Sequence, residues 1–152
     1  MAEVRVSITL PAPPEVVWAA LDDISTHTRW MADAEWIRFT SDQHQGVGTT
    51  FDCGTKVGPF RMTDRMEITE WQPGRIMGVR HVGLVTGSGR FTLDAAGDDL
   101  TRFTWEERLQ FPLWMGGSVG AFLARPVFHA IWTRNLRRLQ AMIADDGHPG
   151  PA

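Results

Sequence analysis

The chain has 152 residues, 43% of them apolar and 22% charged, which suits one domain with a hydrophobic core and excludes collagen-like, coiled-coil and wholly disordered chains. Fifteen Lys and Arg stand against 18 Asp and Glu, a net charge of -3, so there is no basic excess for a phosphate backbone and nucleic acid is not an expected partner. The longest uncharged stretch, Phe111 to Ala124, holds one Pro and three Gly and falls short of the roughly 20 apolar residues of a membrane span, so stable membrane insertion is not expected.

In chain order, Val4, Val6, Ile8 and Leu10 alternate with Arg5, Ser7 and Thr9, which predicts a half-buried strand. That alternation lacks the basic region and solid apolar block of a signal peptide, so a cytoplasmic protein is expected, in agreement with a single cysteine, Cys53. The run Pro11 to Pro14 ends the strand. Pro14 then opens a short helix to about Asp22, and Ser25 is placed to cap a second piece reaching Trp30. From Glu35 to Phe111, short alternating segments broken by Gly, Pro and Asp predict an antiparallel meander, with strands near 35–40, 48–55, 59–71, 75–82, 85–95 and 100–111. A long helix is expected from a capping Ser118 to about Ala144, kinked or split at Pro126, with Phe128, Trp132, Leu136, Leu139 and Ile143 on one core-facing stripe. The expected organisation is a single domain over 1–145 and a flexible tail over 146–152.

The order of strand, short helices, meander and long helix is that of an α+β fold. A strongly curved sheet covered by one helix leaves a gap wherever the helix does not fill the concavity, so the architecture implies a pocket. Seven Trp and eight Phe with no Tyr give aromatic surface with few polar tips, as suits a core or an apolar pocket.

Several segments carry a family resemblance. They are the first strand running into Pro11-Ala12-Pro13-Pro14-Glu15-Val16-Val17-Trp18, the stretch Asp23 to Trp30, Gly46 to Phe51, Glu70-Trp71-Gln72-Pro73-Gly74-Arg75, Thr101 to Glu107, and Asn135-Leu136-Arg137-Arg138-Leu139. On these the chain resembles the START-like helix-grip superfamily, also called SRPBCC, and within it the bacterial polyketide cyclase/dehydrase branch. The resemblance implies a curved antiparallel sheet of about seven strands wrapped around a long C-terminal helix, with short helices between strands 1 and 2. It also implies an internal cavity for a small, largely apolar, polyketide-like or lipid-like molecule, with cyclisation or dehydration as the chemistry. The alternative function is a non-catalytic carrier of hydrophobic ligands or a regulatory module.

Two carboxylates interrupt apolar rows. Asp64 falls in register with Phe60, Met62, Met66 and Ile68, and Glu107 with Phe103, Trp105, Leu109 and Phe111. A buried carboxylate must find a partner or raise its pKa, and either would suit general acid/base work on a polyketone or hydroxylated ring. His81, at period two from Met77 and Val79, would complete an acid/base set with Asp64 and Glu107. The plainer alternatives are a bulge that turns Asp64 outward, an arginine that pairs Glu107, and a His81 that faces solvent.

The expected cavity wall comprises Phe60, Met62, Met66, Phe91 and Trp105 from the sheet. From the long helix it takes Val119, Phe122, Leu123, Val127 and Ile131, with Asn135 as a deeper polar contact, and Phe111 to Gly117 frames the entrance. The remaining histidines lack a paired spacing and Cys53 has no neighbouring cysteine, so no metal is expected. Gly83, Gly87 and Gly89 lead into a strand rather than a helix, which argues against a nucleotide loop, and no cofactor is implied. The expected partner is therefore a small hydrophobic ligand, with a homodimer left open.

Overall fold

A computed structural model describes residues 2–146, and the expected tail beyond Asp146 lies outside the described residues. The strands are β1 (Ala2–Leu10), β2 (Ala34–Phe39), β3 (Thr50–Val57), β4 (Phe60–Gln72), β5 (Ile76–Val82), β6 (Thr86–Ala95) and β7 (Thr101–Gln110). Helix α1 (Pro14–Leu21) and a 3-10 helix (Ile24–Arg29) separate β1 from β2, and a short 3-10 turn (Leu113–Met115) leads into α2 (Gly117–Asp146).

The seven strands form one curved, open antiparallel sheet in the order β1-β7-β6-β5-β4-β3-β2. Strands β2 to β7 are consecutive neighbours, as hairpins require, and β1 returns to pair with β7 along its whole length, Ala2 opposite Leu109 and Leu10 opposite Thr101. The alternation seen in β1 is realised directly, with Val4, Val6 and Leu10 buried. Pro14 occupies the first turn of α1, where its missing N–H costs nothing, and Val17, Trp18 and Leu21 turn inward.

Two local expectations are corrected, and of the two outcomes expected at Pro126 the split does not occur. Asp23, not Ser25, caps the 3-10 helix, its Oδ1 accepting from the Ser25 backbone N–H at 3.1 Å. Helix α2 begins at Gly117, so Ser118 lies inside its first turn. Pro126 also sits within one continuous element and does not split it, although it deprives the Phe122 carbonyl of its helical donor.

The C-terminal half of α2 packs on the sheet through Trp132, Leu136, Leu139 and Ile143, whose spacing of three and four residues sets them on one stripe. Trp30, Phe103, Leu10, Leu21 and Ile68 are the largest fully buried partners in that core. Toward its N-terminus α2 turns only the small residues Gly117 and Ala121 into buried positions, while Val119, Phe122 and Leu123 on its opposite face are exposed. The concave face of the sheet opposite this half is left unfilled, which makes room for a cavity. Among the described residues no helix is long and apolar enough to cross a membrane.

Candidate functional site

The unfilled concavity is a cavity of about 640 Å³, within the range that holds drug-sized ligands, and its wall is mostly apolar. Strand β4 supplies Met62, Asp64 and Met66, which share one face while Thr63 and Arg65 take the other. The bulge that would have turned Asp64 outward lies further along, between Ile68 and Glu70, so Asp64 keeps the inward register. Strand β5 supplies Met77, Val79 and His81, and β7 supplies Trp105, Glu107 and Leu109.

The three polar members of these rows meet. His81 Nδ1 lies 2.8 Å from Asp64 Oδ2, and His81 Nε2 lies 2.8 Å from Glu107 Oε2. Trp105 Nε1–H donates to the second Glu107 oxygen, Oε1, at 3.0 Å. Strands β5 and β7 are separated by β6, where Gly87 pairs with His81 and Gly89 with Glu107, so the two backbones stand two strand spacings, about 10 Å, apart across the sheet and are also offset along it. The two side chains meet because β6 presents Gly89 beneath the Glu107 carboxylate. A side chain at position 89 would occupy the space that the Glu107 carboxylate fills.

Burial acts to lower the His81 pKa, but the negative charge of Glu107 and hydrogen bonds to Asp64 and Glu107 more than offset it, and the pKa is raised to about 10. His81 is therefore an imidazolium at neutral pH, with one N–H donated to each carboxylate. One protonated ring between two carboxylates suits proton exchange with a bound molecule. Asp64 Oδ1 is buried and, among the described residues, has no hydrogen-bond partner.

Sequence reasoning did not single out four other ionisable residues that line the cavity, of which Arg61 and Arg90 pair with Glu35 and Glu70 and the other two are His27 and Asp33. His27 donates Nε2–H to the Leu21 carbonyl at 2.8 Å, and burial lowers its pKa to about 4, so its ring is neutral. It packs among Trp30 and Phe91. Asp33 has a pKa raised by burial, against the opposing effect of hydrogen bonds from Asn135 and Trp132. Neither residue sits in a periodic row, since both precede β2 in irregular or 3-10 backbone, and periodicity was the signal that revealed Asp64, His81 and Glu107. Cys53 also faces the cavity, beside Asp64, and burial pushes its thiol up to about 12, which keeps it protonated and poorly nucleophilic.

Of the side chains expected on the wall, Phe60, Met62, Met66, Phe91, Trp105 and Val127 line the cavity. Val119, Phe122 and Leu123 do not. They lie on the face of α2 opposite Gly117 and Ala121, which are buried, and Ala124 and Phe128, which line the cavity. Ile131 packs against the core without lining the cavity. Asn135 is fully buried and occupied elsewhere, its Nδ2 donating to Asp33 Oδ1 at 2.7 Å and its Oδ1 accepting from Ala32 N–H at 3.0 Å. It therefore anchors the segment before β2 to α2. Phe128 belongs both to the cavity wall and to an aromatic stack: its ring lies 5.3 Å from Trp132, which lies 4.9 Å from Trp105. Among the described residues no cluster of His, Cys, Asp and Glu is arranged to hold a metal ion.

The family model described as polyketide cyclase / dehydrase and lipid transport matches residues 1–144. The chain belongs to this family. No curated protein matches its sequence. Solved structures with the same fold include the XoxI protein of Bacillus cereus, at 17% identity and a TM-score of 0.76 over 98% of this chain and 100% of that one. A Thermus thermophilus protein matches at 18% identity and a TM-score of 0.75, over 96% and 99% of the two chains. The Zhui aromatase/cyclase of a Streptomyces species matches at 18% identity and a TM-score of 0.73, over 99% of this chain and 98% of that one. The helix-grip-like fold expected from the sequence is the fold observed.

Proposed function

We propose that the protein binds a small, largely apolar, polyketide-like or lipid-like molecule in the 640 Å³ cavity and acts on it by proton transfer, in a cyclisation or dehydration. The observation that carries this reading is the hydrogen-bonded chain Asp64-His81-Glu107, set into a mostly apolar wall. Low-polarity surroundings strengthen every charge–dipole interaction there, so a carbonyl or hydroxyl brought against the chain would be polarised more than in water. In a cyclisation, a carboxylate of the chain takes the proton from a carbon between two carbonyls. The resulting enolate attacks a second carbonyl of the same molecule, and the imidazolium returns a proton to the new alkoxide. In a dehydration the same two stations remove a proton from carbon and protonate the departing hydroxyl. Family membership and the fold shared with an aromatase/cyclase support this choice of reaction.

A second reading, a non-catalytic carrier, draws on a specific feature: both His81 nitrogens already face carboxylates, as in a structural ion-pair network. The two readings separate in one experiment. A synthetic linear poly-β-ketone is titrated against the protein by tryptophan fluorescence, and product formation is then followed for the unmodified protein and for Asp64→Asn and Glu107→Gln. Proton transfer requires turnover to fall by about two powers of ten or more while affinity and melting temperature hold. Tight binding with no product from the unmodified protein would leave the carrier.

A further inference from the structure

The side chains that α2 turns away from the cavity gather with others into an exposed apolar surface. Leu113 is 92% exposed and Trp114 75%, both in the 3-10 turn, and Phe60 is 73% exposed at the β3–β4 hairpin. Val119, Phe122 and Leu123 on the first half of α2 are exposed too, and Val119 and Leu123 lead at a spacing of four residues to Val127 at the cavity rim. Exposed apolar side chains gathered in this way mark a site of interaction rather than ordinary surface. It is also continuous with the cavity: Phe60, Leu84, Trp114 and Val127 are each exposed and each line the cavity. Apolar surface thus runs from the outside of the molecule into its interior.

The charge carried by the segment of this surface is basic: from Phe111 to Val127 the sequence holds Arg125 and no Asp or Glu, in a chain whose net charge is -3. The β3–β4 hairpin adds Lys56 and Arg61 beside Phe60, with Arg61 also 3.5 Å from Glu35. Arg125 holds its guanidinium 5.3 Å over the Phe122 ring, an apolar body and a cationic head in one unit.

We propose that the cavity rim and the first half of α2 form a peripheral docking surface for an anionic lipid bilayer, which places the cavity mouth against the lipid. Aromatic and aliphatic side chains with interspersed arginine match the boundary between headgroups and acyl chains, and anionic headgroups complement the arginines. A symmetric second copy fits less well, because a two-fold interface centred on this patch would bring Arg125 toward its own counterpart. None of the described helices is long and apolar enough to cross a membrane, so contact is made by lying on it. A hydrophobic ligand could then enter from the lipid phase without passing through water. The inference does not depend on turnover at His81.

The test is flotation of the whole protein with vesicles of phosphatidylcholine alone and with vesicles of phosphatidylcholine and phosphatidylglycerol, at low and high salt. Binding to the anionic vesicles is expected to exceed binding to the neutral ones about tenfold and to weaken with salt. The double variant Leu113→Ser/Leu123→Ser should lose about tenfold in binding at an unchanged melting temperature, since both side chains are exposed. Arg125→Glu should weaken binding to the anionic vesicles alone. The proposal is overturned by no flotation with anionic vesicles, by equal binding to both vesicle types, or by unchanged binding of the serine variant. It is equally overturned if the protein forms a lipid-independent dimer that the serine variant disperses, which would assign the face to a second copy. His81→Gln should float like the unmodified protein, which keeps this outcome separate from the fate of the proton-transfer reading.

Discussion

Glu107 reaches His81 by passing over Gly89 with no room to spare: a Cβ built on Gly89 would lie 2.4 Å from Glu107 Oε1 and 2.6 Å from its carboxyl carbon, so the carboxylate would have to move. The backbone of Gly89 is not in the left-handed region, so this glycine is required for the space above it and not for its torsion angles.

Gly89→Ala is therefore expected to push the carboxylate off His81 and to destabilise the fold by about 1–3 kcal/mol through overpacking and a lost buried hydrogen bond. The signature is local. An NMR titration of the His81 ring should show its pKa falling from about 10 toward the ordinary histidine range, because the negative charge of Glu107 is a leading cause of the elevation. An unchanged His81 titration would show that the pair does not depend on this clearance.

Stability should depend on pH with a maximum near 6.5. His81 is raised from 6.5 to about 10 on folding, so its contribution is complete below 6.5 and is lost as pH rises toward 10. His27 is lowered from 6.5 to about 4, so its neutral form favours the fold above 6.5 and stability is lost as pH falls toward 4. Urea unfolding across this range should give a dome, with His81→Gln flattening the alkaline side and His27→Gln the acid side. A flat profile in the unmodified protein would contradict both assignments.

Asp33→Asn should raise stability at pH 7 by about 1 kcal/mol, since burial penalises the ionised carboxylate there. The folded pKa lies above the unfolded value of 3.8, so the contribution of the protonated carboxyl is complete below 3.8 and is lost as pH rises through the folded pKa. The advantage of asparagine should accordingly shrink as pH falls toward 3.8. A gain that persists at low pH would point to a cause other than the charge.

Val127 lines the cavity near its open side, whereas Phe122 faces solvent. Val127→Trp should weaken binding of a fluorescent apolar probe such as anilinonaphthalene sulfonate about tenfold with little change in melting temperature. Phe122→Trp should leave probe binding as it was. Equal effects of the two substitutions would mean that the probe binds outside the cavity.

The fold was legible in the sequence because its strands alternate cleanly and its breaks carry Pro, Gly and Asp. The inward carboxylates were legible for the same reason: Asp64 and Glu107 interrupt apolar rows of period two. The helix wall was misassigned on composition: Val119, Phe122 and Leu123 are as apolar as Leu136 and Leu139, but helical periodicity sets them on the face of α2 opposite Ala121, Trp132 and Leu139, away from the sheet. His27 and Asp33 were illegible for a different reason. They reach the cavity from backbone without a repeating pattern, where position follows from tertiary contacts such as the Asn135–Asp33 hydrogen bond.

The stack of Phe128, Trp132 and Trp105 ends at a hydrogen bond from indole to carboxylate. This gives the protein a built-in optical reporter. Light absorbed by Trp132 is within easy energy-transfer distance of Trp105, and the indole of Trp105 touches the group whose charge holds the imidazolium. Emission from this pair therefore reads the electric field at Glu107, and a molecule entering the cavity writes its arrival into the intrinsic fluorescence without any attached dye.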